Sequence, residues 1–344
     1  MINLLIAGGV AMILALVGTP VLIGWLHANG IGQQIRDDGP AGHFTKAGTP
    51  TMGGLMIVGA ALGGYLAGHL RGGTIFTRAG ILVALATVGA AAVGLTDDWI
   101  KVRHQRSLGL NKRAKVAGQL LVAGAFGVLA VNWAHVNTAL SFTRWDSTEI
   151  VLSKALYVVW AILLIVATSN AVNLTDGLDG LVAGSATFAF SAFALFGFWQ
   201  FRHFGVYHVP QALDLAVLAV ALTGACTGFL WWNCAPARIF MGDTGSLAIG
   251  AAMAGLALVM NVHLLLPVVG GLYVLVALSV IVQVASFRLF HRRILRMAPV
   301  HHHFELAGWP ETTVIVRFWI LSGLCTALAI GLFYADFISL RVLD

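Results

Sequence analysis

Ten long stretches of this chain carry almost no charge, and that pattern restricts its fold more than any other feature. The apolar runs fall at about 2–27, 52–70, 79–96, 116–133, 151–170, 178–200, 211–231, 246–262, 267–287 and 314–335. Each is near the roughly 17–25 helical residues that cross ~30 Å of hydrocarbon. The expected fold class is therefore all-α: a polytopic integral membrane protein of about ten transmembrane helices. Composition agrees, with 59% hydrophobic and 10% charged residues over 344 positions, where a soluble domain carries roughly a quarter charged residues. No stretch is polar enough to fold apart in water, so residues 1–344 form a single transmembrane domain. The first run has no Lys or Arg before Arg36. It is expected to be a retained span rather than a cleaved leader, which begins with basic residues.

Ten spans put both termini on one side. If the connection after the first span is cytoplasmic, only Arg71, Arg78, Arg144, Lys154, Arg202 and Arg341 of the 20 basic residues lie on the opposite side. Basic residues are retained in the cytoplasm during insertion, so this split supports the count and puts both termini outside. The cytoplasmic loops are then at about 28–51, 97–115, 171–177, 232–245 and 288–313. The net charge of +6 suits anionic headgroups and anionic substrates, and no nucleic-acid partner is needed to explain it. No carboxylate falls at the centre of a run, which argues against an ion-coupled transporter and for chemistry at the membrane surface. Cys226, Cys234 and Cys325 show no paired spacing and suggest neither disulfides nor zinc.

The polar residues of the cytoplasmic loops form several motifs. In Asp97-Asp98-Trp99-Ile100-Lys101, Asp97 and Lys101 share a face if the helix continues. Two adjacent carboxylates at a lipid boundary need a cation or metal, although a surface ion pair at a helix end is an equal alternative. Asn170, Asn173, Asp176 and Asp179 recur every three residues, which predicts one slowly drifting helical stripe that needs partners or a ligand. Gly242-Asp243-Thr244-Gly245-Ser246 stands just before an apolar run, where Thr244 or Ser246 can cap the helix. A helix N-terminus favours phosphate, and a carboxylate there can hold Mg²⁺ against it. His301, His302 and His303 are consecutive and cannot all face one way, so they suit a phosphate with nearby arginines better than zinc. Lys46, Thr51 and the glycines after them offer an amine, a hydroxyl and close backbone approach before the second run.

Together, the segments KAGTPTMGG, GLTDDWIKV, NLTDGLDGLV, PARIFMGDTGS and APVHHHFELAGWPE closely resemble the phospho-N-acetylmuramoyl-pentapeptide-transferase (MraY) family. The resemblance runs from Lys46 to about Trp319. The Asp motifs are shared with a wider superfamily that moves sugar 1-phosphates from UDP-sugars to polyprenyl phosphates, while the histidine segment is the most specific to the muramoyl-pentapeptide branch. The resemblance implies transfer of phospho-MurNAc-pentapeptide from UDP-MurNAc-pentapeptide to undecaprenyl phosphate, giving lipid I and UMP with Mg²⁺ in peptidoglycan synthesis. It implies a site facing the cytoplasm of the bacterial inner membrane, and a homodimer. Carried onto this chain, Asp243 would ligate Mg²⁺, and Asp97 and Asp98 would serve the lipid phosphate. Asn170, Asn173, Asp176 and Asp179 would shape the nucleotide pocket, with Asn233 nearby. Lys46, Thr51, Lys101, Lys115, His301, His302 and His303 would contact phosphates or position the sugar.

Two mechanisms are open to such a site: direct attack by the lipid phosphate, or prior attack by an Asp97 or Asp98 carboxylate. Two rivals for the function stand beside this one. A sister transferase using UDP-GlcNAc would keep the Asp motifs and differ around the histidines, and a transporter or flippase would want carboxylates at mid-membrane.

Overall fold

The computed structural model describes residues 1–32, 48–70, 76–104 and 109–343, with side chains through Leu340. Lys46 lies outside the described residues. Thirteen helices follow one another among those described. They are α1 (Ile2–Ala28), α2 (Gly54–Leu70), α3 (Arg78–Arg103), α4 (Lys112–Asn132), α5 (Lys154–Thr175), α6 (Leu181–Arg202), α7 (Phe204–Tyr207), α8 (Ala212–Asn233), α9 (Gly242–Val259), α10 (Leu266–Val269), α11 (Gly271–Phe290), α12 (Val300–Leu306) and α13 (Glu311–Leu343). No strand occurs among the described residues, and one isolated bridge pairs Ala139 with Val151.

Among the described residues, nine helices are long and apolar enough to cross a membrane, and α2, at 17 residues, is a shorter apolar one. Each of the ten expected runs overlaps one of these helices. Helices pair their own backbone groups, as hydrocarbon demands. Polar caps set several starts: Thr77 accepts from Gly80 N, Asn111 from Ala114 N, and Ser153 from Leu156 N.

Three departures from the expected pattern matter most, and two of them shape the site. The ninth run divides into α10 and α11, because Pro267 favours a fresh helix start and the chain breaks at Gly270. Helix α3 runs on to Arg103, so Asp97, Asp98 and Lys101 are helical. Helix α5 stops at Thr175, so the expected stripe is interrupted. Asn170 and Asn173 lie on α5, Asp176 caps its C-terminus, and Asp179 belongs to the turn that ends at Gly180 with φ +77°.

The most deeply packed helix is α9, in which every residue from Thr244 to Val259 is buried. It is flanked by α3, α5 and α2, while α4 lies against α5 and α3. Backbones come close where side chains are missing: a Cβ at Gly94 would run into Asp243 O, and one at Gly250 into the Ser169 backbone. Such contacts carry helix association in lipid, where apolar side chains alone give little preference for protein over solvent. The start of α9 is thereby held between the ends of α3 and α5 and the start of α4.

Candidate active site

Gly242 opens α9 with φ +68°, and a Cβ there would run into Asp98 Oδ2. Residues of α9 provide no side-chain cap of their own. Asp98 fills that role from α3. Its Oδ2 accepts from Thr244 N at 2.9 Å and Thr244 Oγ1 at 2.7 Å, and its Oδ1 accepts from Asp243 N at 3.2 Å. An anion at a helix N-terminus satisfies otherwise orphaned amides and favours the local dipole. The expected cap from Thr244 or Ser246 is thus replaced by a carboxylate from another helix.

Asp243, in the first turn of α9, is the hub. Its Oδ2 accepts from Lys101 Nζ and Lys115 Nζ, each at 2.7 Å, and its Oδ1 accepts from Asn173 Nδ2 at 2.5 Å. Asn173 Nδ2 also donates to Ser246 Oγ at 2.8 Å. Lys101 Nζ reaches Asp97 Oδ2 at 2.6 Å and Asp98 Oδ1 at 3.5 Å. Asp97 Oδ1 accepts from Leu110 N at 2.9 Å, and Gly109 lies directly against the same carboxyl. Asp97 and Asp98 are buried, and one oxygen from each of Asp97, Asp98 and Asp243 can be chosen so that all lie within 4.8 Å of one another. Three carboxylates face two lysines. Hard oxygen ligands with surplus negative charge are the donor set that Mg²⁺ takes, so these residues fit such an ion.

A second group surrounds this hub. Asp176 is half-buried by surface area yet enclosed by protein atoms. That loss of hydration, together with the fields of Asp243, Asp98 and Asp179, pushes its carboxyl well above the usual range. Asp179 Oδ2 accepts from Ala237 N at 2.9 Å, and its own amide donates to Glu311 Oε1 at 3.2 Å. His301 is buried, and a Cβ on Gly177 would run into its Nε2 and approach His302 Nε2 to 3.2 Å. His302 Nδ1 is 2.6 Å from Glu305 Oε2. His303 turns elsewhere, its Nδ1 accepting from Arg296 N at 3.1 Å. Two histidines therefore meet the turn after α5, and the third holds the basic segment before α12.

Of the other expected residues, Thr51 is buried, and a Cβ on Gly242 would lie 3.0 Å from its hydroxyl. Asn233 is buried and donates to Ile239 O at 2.8 Å, so it fastens the 234–239 loop. Asn170 sends its amide hydrogens to Val166 O at 2.8 Å and Gln119 Oε1 at 3.0 Å. Sequence reasoning missed Gln119, Glu311 and the Gly109–Leu110 backbone. Gln119 had a signal, since it stands one turn after Lys115. The other two had none, because nothing local ties them to Asp179 or Asp97.

Comparison with known proteins points one way. Residues 80–261 match glycosyl transferase family 4, and residues 46–58 match phospho-N-acetylmuramoyl-pentapeptide-transferase signature 1. The chain is similar to the phospho-N-acetylmuramoyl-pentapeptide-transferase of Frankia alni, with 51% identity covering 98% of each chain. It is 50% identical to that of Streptomyces avermitilis over 97% of this chain and 98% of the relative. The Kineococcus radiotolerans protein of the same name is 48% identical, over 98% and 99%.

Proposed function

The chain belongs to the phospho-N-acetylmuramoyl-pentapeptide-transferase family, and from that premise we propose that it moves phospho-MurNAc-pentapeptide from UDP-MurNAc-pentapeptide to undecaprenyl phosphate. The products are lipid I and UMP. The observation that carries this reading at the site is the convergence of Asp97, Asp98, Asp243, Lys101 and Lys115 where four helix ends meet. The uneven distribution of basic residues supports a site on the cytoplasmic side of the bacterial inner membrane, with both termini outside. The family further suggests a homodimer, which cross-linking in native membranes would test.

The chemistry brings two anionic phosphates together. A lipid phosphate oxygen attacks the β-phosphorus of the UDP-sugar, a new P–O bond forms, and the bond to the bridging oxygen breaks, releasing UMP. Lys101 and Lys115 bind and orient phosphate oxygens and offset their mutual repulsion. Asp97 accepts a residual proton from the lipid phosphate or orients that oxygen. Asp98 keeps the start of α9, and so Asp243, in place. His301 and His302 contact the donor's phosphates or sugar beside the turn that carries Asp176. Asp243, with Asp97 and Asp98 beside it, would hold Mg²⁺, which would supply positive charge to the transferring phosphoryl group.

The test is UMP release by purified protein in detergent with undecaprenyl phosphate and Mg²⁺, offering UDP-MurNAc-pentapeptide and UDP-GlcNAc in separate assays. UMP from the first substrate alone is expected. Release only from UDP-GlcNAc transfers the assignment to the sister reaction, and release from neither removes the enzyme reading. Omitting the lipid acceptor and searching for labelled phospho-sugar bound covalently to the protein tests the direct route, which such an adduct would overturn.

A further inference from the structure

Lys115 and Asn173 approach opposite oxygens of Asp243 from two different helices, α4 and α5. Their joint grip requires a fixed register between those helices. One turn further along α4 is Gln119, and one turn back along α5 is Asn170, so each stands directly behind a residue of the hub. Gln119 Oε1 accepts from Asn170 Nδ2 at 3.0 Å, the one side-chain hydrogen bond between α4 and α5 among the described residues. The other Asn170 amide hydrogen goes to Val166 O at 2.8 Å. That bond fixes which way the Asn170 amide points and makes Gln119 present its oxygen.

Gln119 is 5% exposed, and its Nε2 has no hydrogen-bond partner. A buried, unsatisfied donor is costly, and an apolar side chain would fill the space without that cost. The position of the amide is explained by its oxygen. The geometry points to Gln119 and Asn170 as a positioning pair: they lock α4 to α5 so that Lys115 and Asn173 hold the Asp243 carboxylate in one orientation. In this assignment Asn170 acts through the pair and does not touch the nucleotide.

The inference rests on the proposed activity only for its kinetic consequence, so the test has two arms. In the first, detergent-solubilised full-length protein is briefly treated with acetic anhydride, and acetylation of Lys115 and Lys101 is followed by mass spectrometry. Gln119→Met, Asn170→Leu and the double variant should each speed Lys115 labelling several-fold. Lys101, carried by α3, should not change, and the double variant should match a single one. In the second arm, kcat for UMP release should fall by about tenfold in each variant, with KM for the UDP-linked donor nearly unchanged. Equal acceleration at both lysines would mean general loosening and would overturn the pair, as would no change at Lys115. A large rise in KM confined to Asn170→Leu would return that residue to the nucleotide pocket. If wild-type protein releases no UMP, the activity reading fails while the labelling arm still decides the clamp.

Discussion

The two ends of the helix bundle treat buried charge in opposite ways. At one end, Asp97, Asp98 and Asp243 crowd together, offset among the described residues by Lys101 and Lys115. At the other, Asp214 stands alone in the first turn of α8 and is fully engaged. It accepts from Tyr65 Oη at 2.8 Å, from Thr77 N at 2.8 Å and from Thr77 Oγ1, and it meets His69 Nε2 at 2.9 Å. These partners come from α2 and the α2–α3 connection, so one carboxylate on α8 joins three segments. The Asp214 end is saturated and holds the fold. The Asp243 end places three carboxylates against two described lysines, a surplus of negative charge that a cation can still offset, as expected where function outweighs stability.

The sharpest way to break this contrast is to neutralise one carboxylate at each end. Asp243→Asn should reduce UMP release by at least about 10³-fold, while the thermal unfolding midpoint in detergent falls only a little: Lys101 and Lys115 lose a shared partner, but Lys101 keeps Asp97. Near-normal turnover would show that the reacting phosphates lie elsewhere. Asp214→Asn should behave in the opposite sense. Replacing an acceptor-only group with an amide leaves donors facing a donor, at a cost of about 3 kcal/mol in stability. Turnover per folded molecule should stay close to wild type. A retained kcat in the first variant, or a lost kcat in the second, would erase the distinction between the ends.

A smaller effect should appear in acid. His263, in the turn after α9, is buried, and its Nε2 accepts from Ser141 N at 3.0 Å. Burial lowers its pKa to about 4. The unfolded chain therefore binds this proton first. The stability of the neutral ring is fully present above the unfolded value of about 6.5 and is lost as pH falls from there towards 4, by roughly 3 kcal/mol in all. His263→Gln should flatten the dependence of the unfolding midpoint on pH across that window, and an unchanged slope would count against it. The smallest change should come from Asp146→Ala, which removes the 3.2 Å contact of a 39% exposed carboxylate with Arg144. Less than about 1 kcal/mol is expected, because Arg144 keeps Asp336 at 3.1 Å.

The same contrast marks how far the site could be read without coordinates. Asp97 and Lys101 met as their spacing required, because four residues on one continuous helix leave little choice. The stripe from Asn170 to Asp179 did not survive intact, since periodicity cannot see that the helix yields to a turn after Thr175. Asp98 reads in the sequence as half of a carboxylate pair, and the structure adds that its oxygens also accept from amides and a hydroxyl of α9. Nothing within a few residues of Asp98 announces Thr244 as its partner.

Span number, helical class and family membership were decided by the sequence itself, since the length of an apolar run and the content of a motif are local properties. Tertiary structure decided the division of labour: Asp98 as the cap of α9, Asp243 as the meeting point of α3, α4 and α5, and Asn170 turned to Gln119. Those roles depend on which helix ends come together. That is set by close backbone contacts such as Gly94 against Asp243, between residues far apart in the chain.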